Sequence, residues 1–184
     1  MKAKLKHLSL LFKFSPLLLI LSSCGPSVVE PVKKSTDTIA EKMVMVNQHM
    51  VQQDRELIKS YATRHKWSVT ETDNGLFYYI TKKVSKNKVQ KGKTVSIDYR
   101  VELLDGTYCY SSDSTGVKEF KTGARQVETG LDEGILLLGE GDEAYFIIPP
   151  HLGNGFSGDG NRIPARSVIV YWVKLLKISD TSDN

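Results

Sequence analysis

The clearest alternation of apolar and polar positions lies at 95–103, where Val95, Ile97, Tyr99, Val101 and Leu103 interleave with Ser96, Asp98, Arg100 and Glu102. A period of two sends the first set to one side, so the segment predicts a half-buried strand with a defined inner face. Leu76-Phe77-Tyr78-Tyr79-Ile80 is an aromatic-rich run that predicts a second strand. Asp105-Gly106 supplies a tight turn into a short strand at 107–110, and Glu143 to Ile148 and Val168 to Ile178 read as further strands. Helical spacing governs two other stretches. From Ile39 to about His65, Met43, Val46, Met50, Leu57 and Tyr61 recur on one face, with Asp37 or Thr38 as N-cap. This predicts one amphipathic helix, or two separated near Gln52-Gln53-Asp54. Gly130 to Leu138 fits a short helix with Asp132 and Glu133 well placed in its first turn. The sum is an α+β layout, a mostly antiparallel sheet crossed by one short helix.

The same alternation exposes an unusual second face. If Phe146, Ile148, Tyr171 and Val173 point to the core, then Tyr145, Ile147, Val170 and Trp172 point to the other side. A solvated antiparallel face is mostly polar. A cover is therefore expected, either the 39–65 helix or a second subunit in a homodimer; scattered surface aromatics are the plainer alternative.

The N-terminus has a different organisation. Lys2, Lys4, Lys6 and Lys13 precede the apolar run Leu17-Leu18-Leu19-Ile20-Leu21, which stops at Ser22-Ser23-Cys24. This is the pattern of a secretory signal, too short in its apolar part for the ~20 residues that span a bilayer as a helix. Leu21-Ser22-Ser23-Cys24 resembles the bacterial lipobox, which implies lipidation at Cys24 and a membrane-anchored location in a bacterial cell envelope, on the periplasmic or surface side. The expected division is a signal peptide at 1–23, a tether at 24–38, a helical segment at 39–66, a connector and first strand at 67–88, a main domain at 89–178 and a tail at 179–184.

Charge then changes the picture once. The formal +4 of the chain comes from 25 basic and 21 acidic residues. The signal holds four of those lysines and no acid, so the remainder is balanced and no basic patch survives to recruit nucleic acid. Cys24 and Cys109 are the two cysteines, and lipidation of the first leaves no partner for an intrachain disulfide.

An ordered set of residues resembles the FKBP-type peptidyl-prolyl cis-trans isomerases over roughly Val89 to Ile178. They are Gly92, the strand through Tyr99, Leu104-Asp105-Gly106, Ser111-Ser112, Gly123, Val127, Gly130, Glu133-Gly134, Gly141, Ala144, Ile148-Pro149-Pro150, Gly155, Ile163-Pro164 and Tyr171 to Leu176. The resemblance implies an FKBP-like antiparallel sheet wrapped on a short helix, here preceded by an N-terminal helical segment, and an isomerase of proline-containing polypeptide clients that needs no cofactor and no metal. Together with the lipobox, Tyr61-Ala62-Thr63-Arg64, Trp67 and Gly75-Leu76 resemble a narrower branch of bacterial lipoprotein isomerases that includes gliding-motility-associated ones.

By the same resemblance Tyr99, Val127, Ile163 and Tyr171 form the catalytic pocket, although each also fits plain core packing. Five further binding positions depart from the usual pattern. Cys109 stands for a Phe, Tyr110 for an Asp, Glu128 for an Ile, Leu131 for the Trp of the pocket floor and Asn154 for a Tyr. Loss of ring surface at 109 and 131 implies a wider or differently filled cleft and weaker proline contact, by about 1–3 kcal/mol per ring. Tyr110 is expected to refill part of that space, and Glu128 to lend only its backbone N–H with a solvent-facing side chain. Two functions follow: a membrane-tethered isomerase of reduced activity that assists exported proteins, or a catalytically weak binding and assembly component of an envelope machine such as a gliding or secretion apparatus.

The remaining chemistry is thin. Cys109 reads as a packed thiol on a strand. His49, His65 and His151 lack metal-ligand spacing and read as helix surface for two and loop support for His151. The Gly-rich stretch 153–160 has no phosphate-loop lysine.

Overall fold

The computed structural model describes residues 33–180; the signal segment, Cys24 and residues 181–184 lie outside that range. Seven strands form one sheet: β1 (Thr70–Glu71), β2 (Phe77–Lys82), β3 (Thr94–Leu103), β4 (Tyr108–Ser111), β5 (Lys118–Lys121), β6 (Glu143–Ile148) and β7 (Ile169–Ser179). Their order is β1-β2-β6-β7-β3-β4, with β5 also paired to β3. Every pairing is antiparallel. The alternation at 95–103 does what its period dictates. Val95, Ile97, Tyr99 and Val101 enter the main core beside Ala144, Phe146, Ile148, Tyr171 and Val173. Two small elements that the sequence reading did not assign are added, the one-turn α2 (Ser112–Thr115) and β5.

The short helix α3 (Thr129–Ile135) crosses this inner face. Its glycines let the backbone lie directly on β6. A Cβ at Gly130 would stand 2.6 Å from the Ile148 side chain, and one at Gly134 would stand 2.8 Å from the Phe146 ring. Beyond Ile135 the expected helix tightens instead of continuing. Leu136, Leu137 and Leu138 donate to the carbonyls three residues back, those of Glu133, Gly134 and Ile135.

The turn that follows is held by Asp142, whose side chain is fully buried. Its carboxylate accepts from Lys83 Nζ, from the backbone N–H groups of Val84 at 2.6 Å and Ser85 at 3.0 Å, and from Gly139 N–H at 2.8 Å. Burial alone would raise its pKa, but these donors outweigh that and lower it from 3.8 to about 2.

The N-terminal helix differs from expectation at its start. It runs unbroken as α1 (Lys33–Arg64, 32 residues), so the last part of the expected tether is helical and Asp37 and Thr38 lie inside the helix instead of capping it. Of the two alternatives, one helix or two separated near Gln52-Gln53-Asp54, the single helix is found, and Asp54 is a docking residue on it: Arg166 Nη2 reaches its two carboxylate oxygens at 3.1 and 2.9 Å. The cover expected for the outer face is there. Ile58 and Tyr61 of α1 pack with Phe77, Ile147, Val168 and Val170, and Trp67, Val69, Leu104 and Tyr145 close the edge. The Trp67 ring stacks on Tyr145 at 4.1 Å. Trp172, on the same face, is half-buried outside this cluster. Only the later turns of α1 dock. Ile39, Met43, Val44, Met45 and Val46 are all more than half exposed.

Candidate functional site

The antiparallel register of β3 on β7 sets Tyr99 opposite Val173 and Val101 opposite Tyr171, which brings the two tyrosines to neighbouring positions on one face. Their ring centroids are 6.2 Å apart. The Tyr99 hydroxyl is hydrogen-bonded to Thr115 Oγ1 at 2.7 Å, and its backbone N–H donates to Ser112 Oγ at 3.2 Å, so α2 orients the β3 side of the site.

Cys109, Leu131 and Ile163 join the two tyrosines in one buried cluster, with Val127 and Tyr110 packed at its edge. Leu131 and Cys109 have no exposed surface and Tyr171 retains 1 %. These side chains are packed as part of the main core. Three N- to C-terminal segments meet here: β3 with β4, the entry to α3, and the long loop ahead of β7.

Polar groups occupy part of the space. The buried Tyr171 hydroxyl donates to Glu128 Oε1 at 2.9 Å. This corrects the solvent-facing side chain expected at 128. The residue immediately before α3 points its carboxylate back along the inner face, because a buried phenol on β7 needs an acceptor and Glu128 is the group in reach. Burial raises the Tyr171 pKa well above its ordinary value, and the charge and hydrogen bond of Glu128 raise it further. The second oxygen, Glu128 Oε2, is buried without a hydrogen-bond partner among the described residues, and so is Asn154 Oδ1 in the loop after the Pro150–Leu152 turn.

One site residue escaped the sequence reading. Lys118 on β5 holds its ammonium 4.9 Å from the Tyr99 ring centroid and 5.7 Å from that of Tyr171. A signal was present: Lys118 and the buried Phe120 are two apart on a strand and share a face. The charged context Lys118-Glu119-Phe120-Lys121 concealed it.

Tyr110, packed against the cluster that holds Cys109, also straps the long loop to β4, its hydroxyl donating to the Asp159 carboxylate. Asp159 in turn accepts from the backbone N–H groups of Asn161 at 2.9 Å and Ile163 at 2.8 Å. Burial opposes ionisation of Asp159, yet these donors hold its pKa below the usual carboxylate value. Arg162 adds a second strap, donating to the Cys109 carbonyl at 2.7 Å with its guanidinium 5.6 Å from the Tyr110 ring centroid. Gly158 makes the fold-back possible. Its φ is +69° and a Cβ there would fall 2.2 Å from the Ile163 carbonyl oxygen.

The Cys109 thiol is free and buried, and burial pushes its pKa up, which suits a packed residue more than a reactive one. His151 supports the connector, its Nε2 3.0 Å from the Asn74 carbonyl oxygen.

Tyr99, Tyr171, Leu131 and Ile163 thus belong to one apolar core, with the Thr115 hydroxyl and the Glu128 carboxylate bonded to the two tyrosine hydroxyls. The description "FKBP-type peptidyl-prolyl cis-trans isomerase" matches residues 85–176. "FK506-binding protein 2" of Yarrowia lipolytica is 34% identical over 124 residues, covering 67% of this chain and 85% of that protein. The "Probable FKBP-type peptidyl-prolyl cis-trans isomerase FkpA" of Neisseria meningitidis is 38% identical over 113 residues, 61% of this chain and 41% of the relative. In fold, the chain is similar to the crystal structure of FkpA from Escherichia coli, with a TM-score of 0.61 at 22% identity over 82% of this chain and 73% of that one. It is also similar to AtFKBP13, with a TM-score of 0.57 at 24% identity over 60% of this chain and 98% of that one.

Proposed function

The chain belongs to the FKBP-type peptidyl-prolyl cis-trans isomerase family, and from that premise we propose that it is a membrane-anchored isomerase of exported polypeptides that turns over more slowly than a domain with a full aromatic cleft. Rotation about an X–Pro bond must break amide resonance against a barrier of about 20 kcal/mol, and takes tens of seconds or more uncatalysed. A cleft accelerates it by binding the twisted amide better than the planar one. In this chain the proline ring rests on Tyr99, Tyr171, Leu131 and Ile163, and the amide carbonyl meets the backbone beside Val127. No nucleophile or proton transfer is required.

The observation that carries the reading is the pairing of Tyr99 and Tyr171, with ring centroids 6.2 Å apart, in a core that also holds Ile163 and has Val127 packed against it. Reduced turnover is supported by Leu131 and Cys109, whose side chains offer less surface than rings, and by the two straps that hold the loop on β4. The test is catalysed exchange in Ala-Xaa-Pro-Phe peptides by the full chain in detergent. Acceleration over the uncatalysed rate, at a kcat/KM about tenfold or more below a full-aromatic domain, is expected. No acceleration removes the enzyme, and equal turnover removes the reduction.

Anchoring through a lipidated Cys24 is supported by the signal-like residues ahead of it, and Cys24→Ala is expected to release the protein from the membrane fraction. The exposed stripe of Ile39, Met43 and Val46 supports a homodimer, which a single-chain mass in analytical ultracentrifugation removes. The straps across the loop also favour a second reading, a weak isomerase that serves as a binding part of an envelope assembly. A measurable rate with normal peptide affinity argues against it.

A further inference from the structure

The two tyrosines of the site have a charge laid over them. Tyr99 is 5 % exposed and Tyr171 1 %. β5 pairs with β3 so that Lys118 stands opposite Ile97, two residues before Tyr99 and on the same inner face. From there its ammonium lies over both rings, 4.9 Å from the Tyr99 centroid and 5.7 Å from that of Tyr171. β3 is the one strand that β5 pairs with, and Lys118 is only half-buried, so part of the residue stays open to solvent. The oxygens around it are taken. The Tyr99 hydroxyl is bonded to Thr115 and the Tyr171 hydroxyl to Glu128. Glu119, next in the chain, is sent to the opposite side by the strand's alternation. Among the described residues the ammonium has the ring faces but no hydrogen bond or ion pair. Its three N–H donors are therefore left without an oxygen acceptor from the protein.

We propose that Lys118 is a specificity-determining residue that selects X–Pro bonds flanked by aspartate or glutamate. A client proline laid on the ring faces that the ammonium occupies must displace it. The cation then loses its contact with the rings and needs an acceptor in exchange. A carboxylate beside the proline supplies a charged one, an amide supplies a weaker one, and a lysine adds repulsion. Because Lys118 keeps exposed surface, the client side chain meets it from solvent and passes through no part of the core. This inference rests on the isomerase reading and names the client class of that same site.

The test measures exchange by NMR in the full chain for two peptide series, Ala-Xaa-Pro-Phe and Ala-Ala-Pro-Xaa, with glutamate, glutamine, leucine and lysine at Xaa. Glutamine matches glutamate in shape, so the ratio between them reads the charge alone. Lys118→Met is the variant, since it keeps a long unbranched side chain and removes the ammonium. The wild-type chain is expected to favour glutamate over glutamine by about fivefold in kcat/KM in at least one series, the equivalent of ~1 kcal/mol, with lysine poorest. In Lys118→Met that ratio falls to near unity. In the wild-type chain it also shrinks at about 1 M salt, where the screening length is about 3 Å. A wild-type ratio near unity in both series, a preference for lysine, or a ratio unchanged by Lys118→Met overturns the proposal. So does a ratio that salt leaves unchanged, which decides the matter even where the variant does not fold. If no peptide is turned over, the isomerase reading fails, and the ratio is read from dissociation constants by titration of the same peptides. Tighter binding of the acidic peptides that Lys118→Met abolishes keeps the inference, and equal binding of glutamate and glutamine peptides overturns it.

Discussion

The two faces of the sheet are covered in opposite ways. On the inner face α3 lies so close that two of its positions have no room for a Cβ, whereas on the outer face α1 stands off on large side chains, Ile58 and Tyr61, with Trp67 filling the edge. Backbone-on-sheet contact leaves the inner helix little freedom to shift, and that helix carries Leu131, with Val127 and Glu128 immediately ahead of it. Side-chain contact on the outer face buries apolar area without such demands on geometry. Catalytic positioning and attachment of the N-terminal segment are thus assigned to different layers.

The largest blow to this comparison is expected from Gly134→Val. The added atoms collide with the Phe146 ring, which is itself fully buried and has nowhere to move. A loss of about 3 kcal/mol in global stability by denaturant unfolding is expected, with isomerase activity falling at the same time. A change under 1 kcal/mol would show that the inner contact is as forgiving as the outer one.

Ile58→Ala comes next. It removes a fully buried side chain from the outer cluster, at a cost of about 2 kcal/mol, the low end for such truncations, because one wall of the site is a helix able to shift. Hydrogen exchange should rise in α1 while β3 and β7 keep their protection and the exchange of proline peptides is unchanged. Loss of protection throughout the sheet would mean that the two layers fold as one.

The smallest effect is titrated through Asp142, at the turn that leads from α3 into β6. Its carboxyl is held at about 2 in the folded chain against an ordinary 3.8. A depressed folded value means that the stabilisation is complete above the ordinary value and is lost as pH falls from there toward 2. Partial exposure of Lys83 tempers the contribution, so about 1–2 kcal/mol is expected to disappear across that window. In Asp142→Asn the acid-side slope from this group should vanish, which unfolding midpoints between pH 2 and 5 would reveal.

Much of the frame was legible because strand alternation and glycine positions are local signals. The period at 95–103 assigned both faces correctly, and the apolar set Tyr145, Ile147 and Val170 announced a cover before any helix was placed on it. What was not legible depends on partners distant in sequence. Glu128 looks like a surface residue until β7 brings the Tyr171 hydroxyl to it, 43 residues later in the chain. Tyr110 meets Asp159 only because the long loop folds back at Gly158. The early start of α1 was missed for a different reason: Lys33 to Thr38 holds charged and small polar residues with no apolar period, so its helicity has no sequence mark.

That helix also sets a distance. At 1.5 Å of rise per residue, the turns of α1 ahead of Asp54 extend roughly 30 Å, and Thr38 to Gln53 is solvent-exposed apart from the half-buried Met50. Whatever is joined to the start of α1 is therefore held from the sheet by a stiff spacer of about that length.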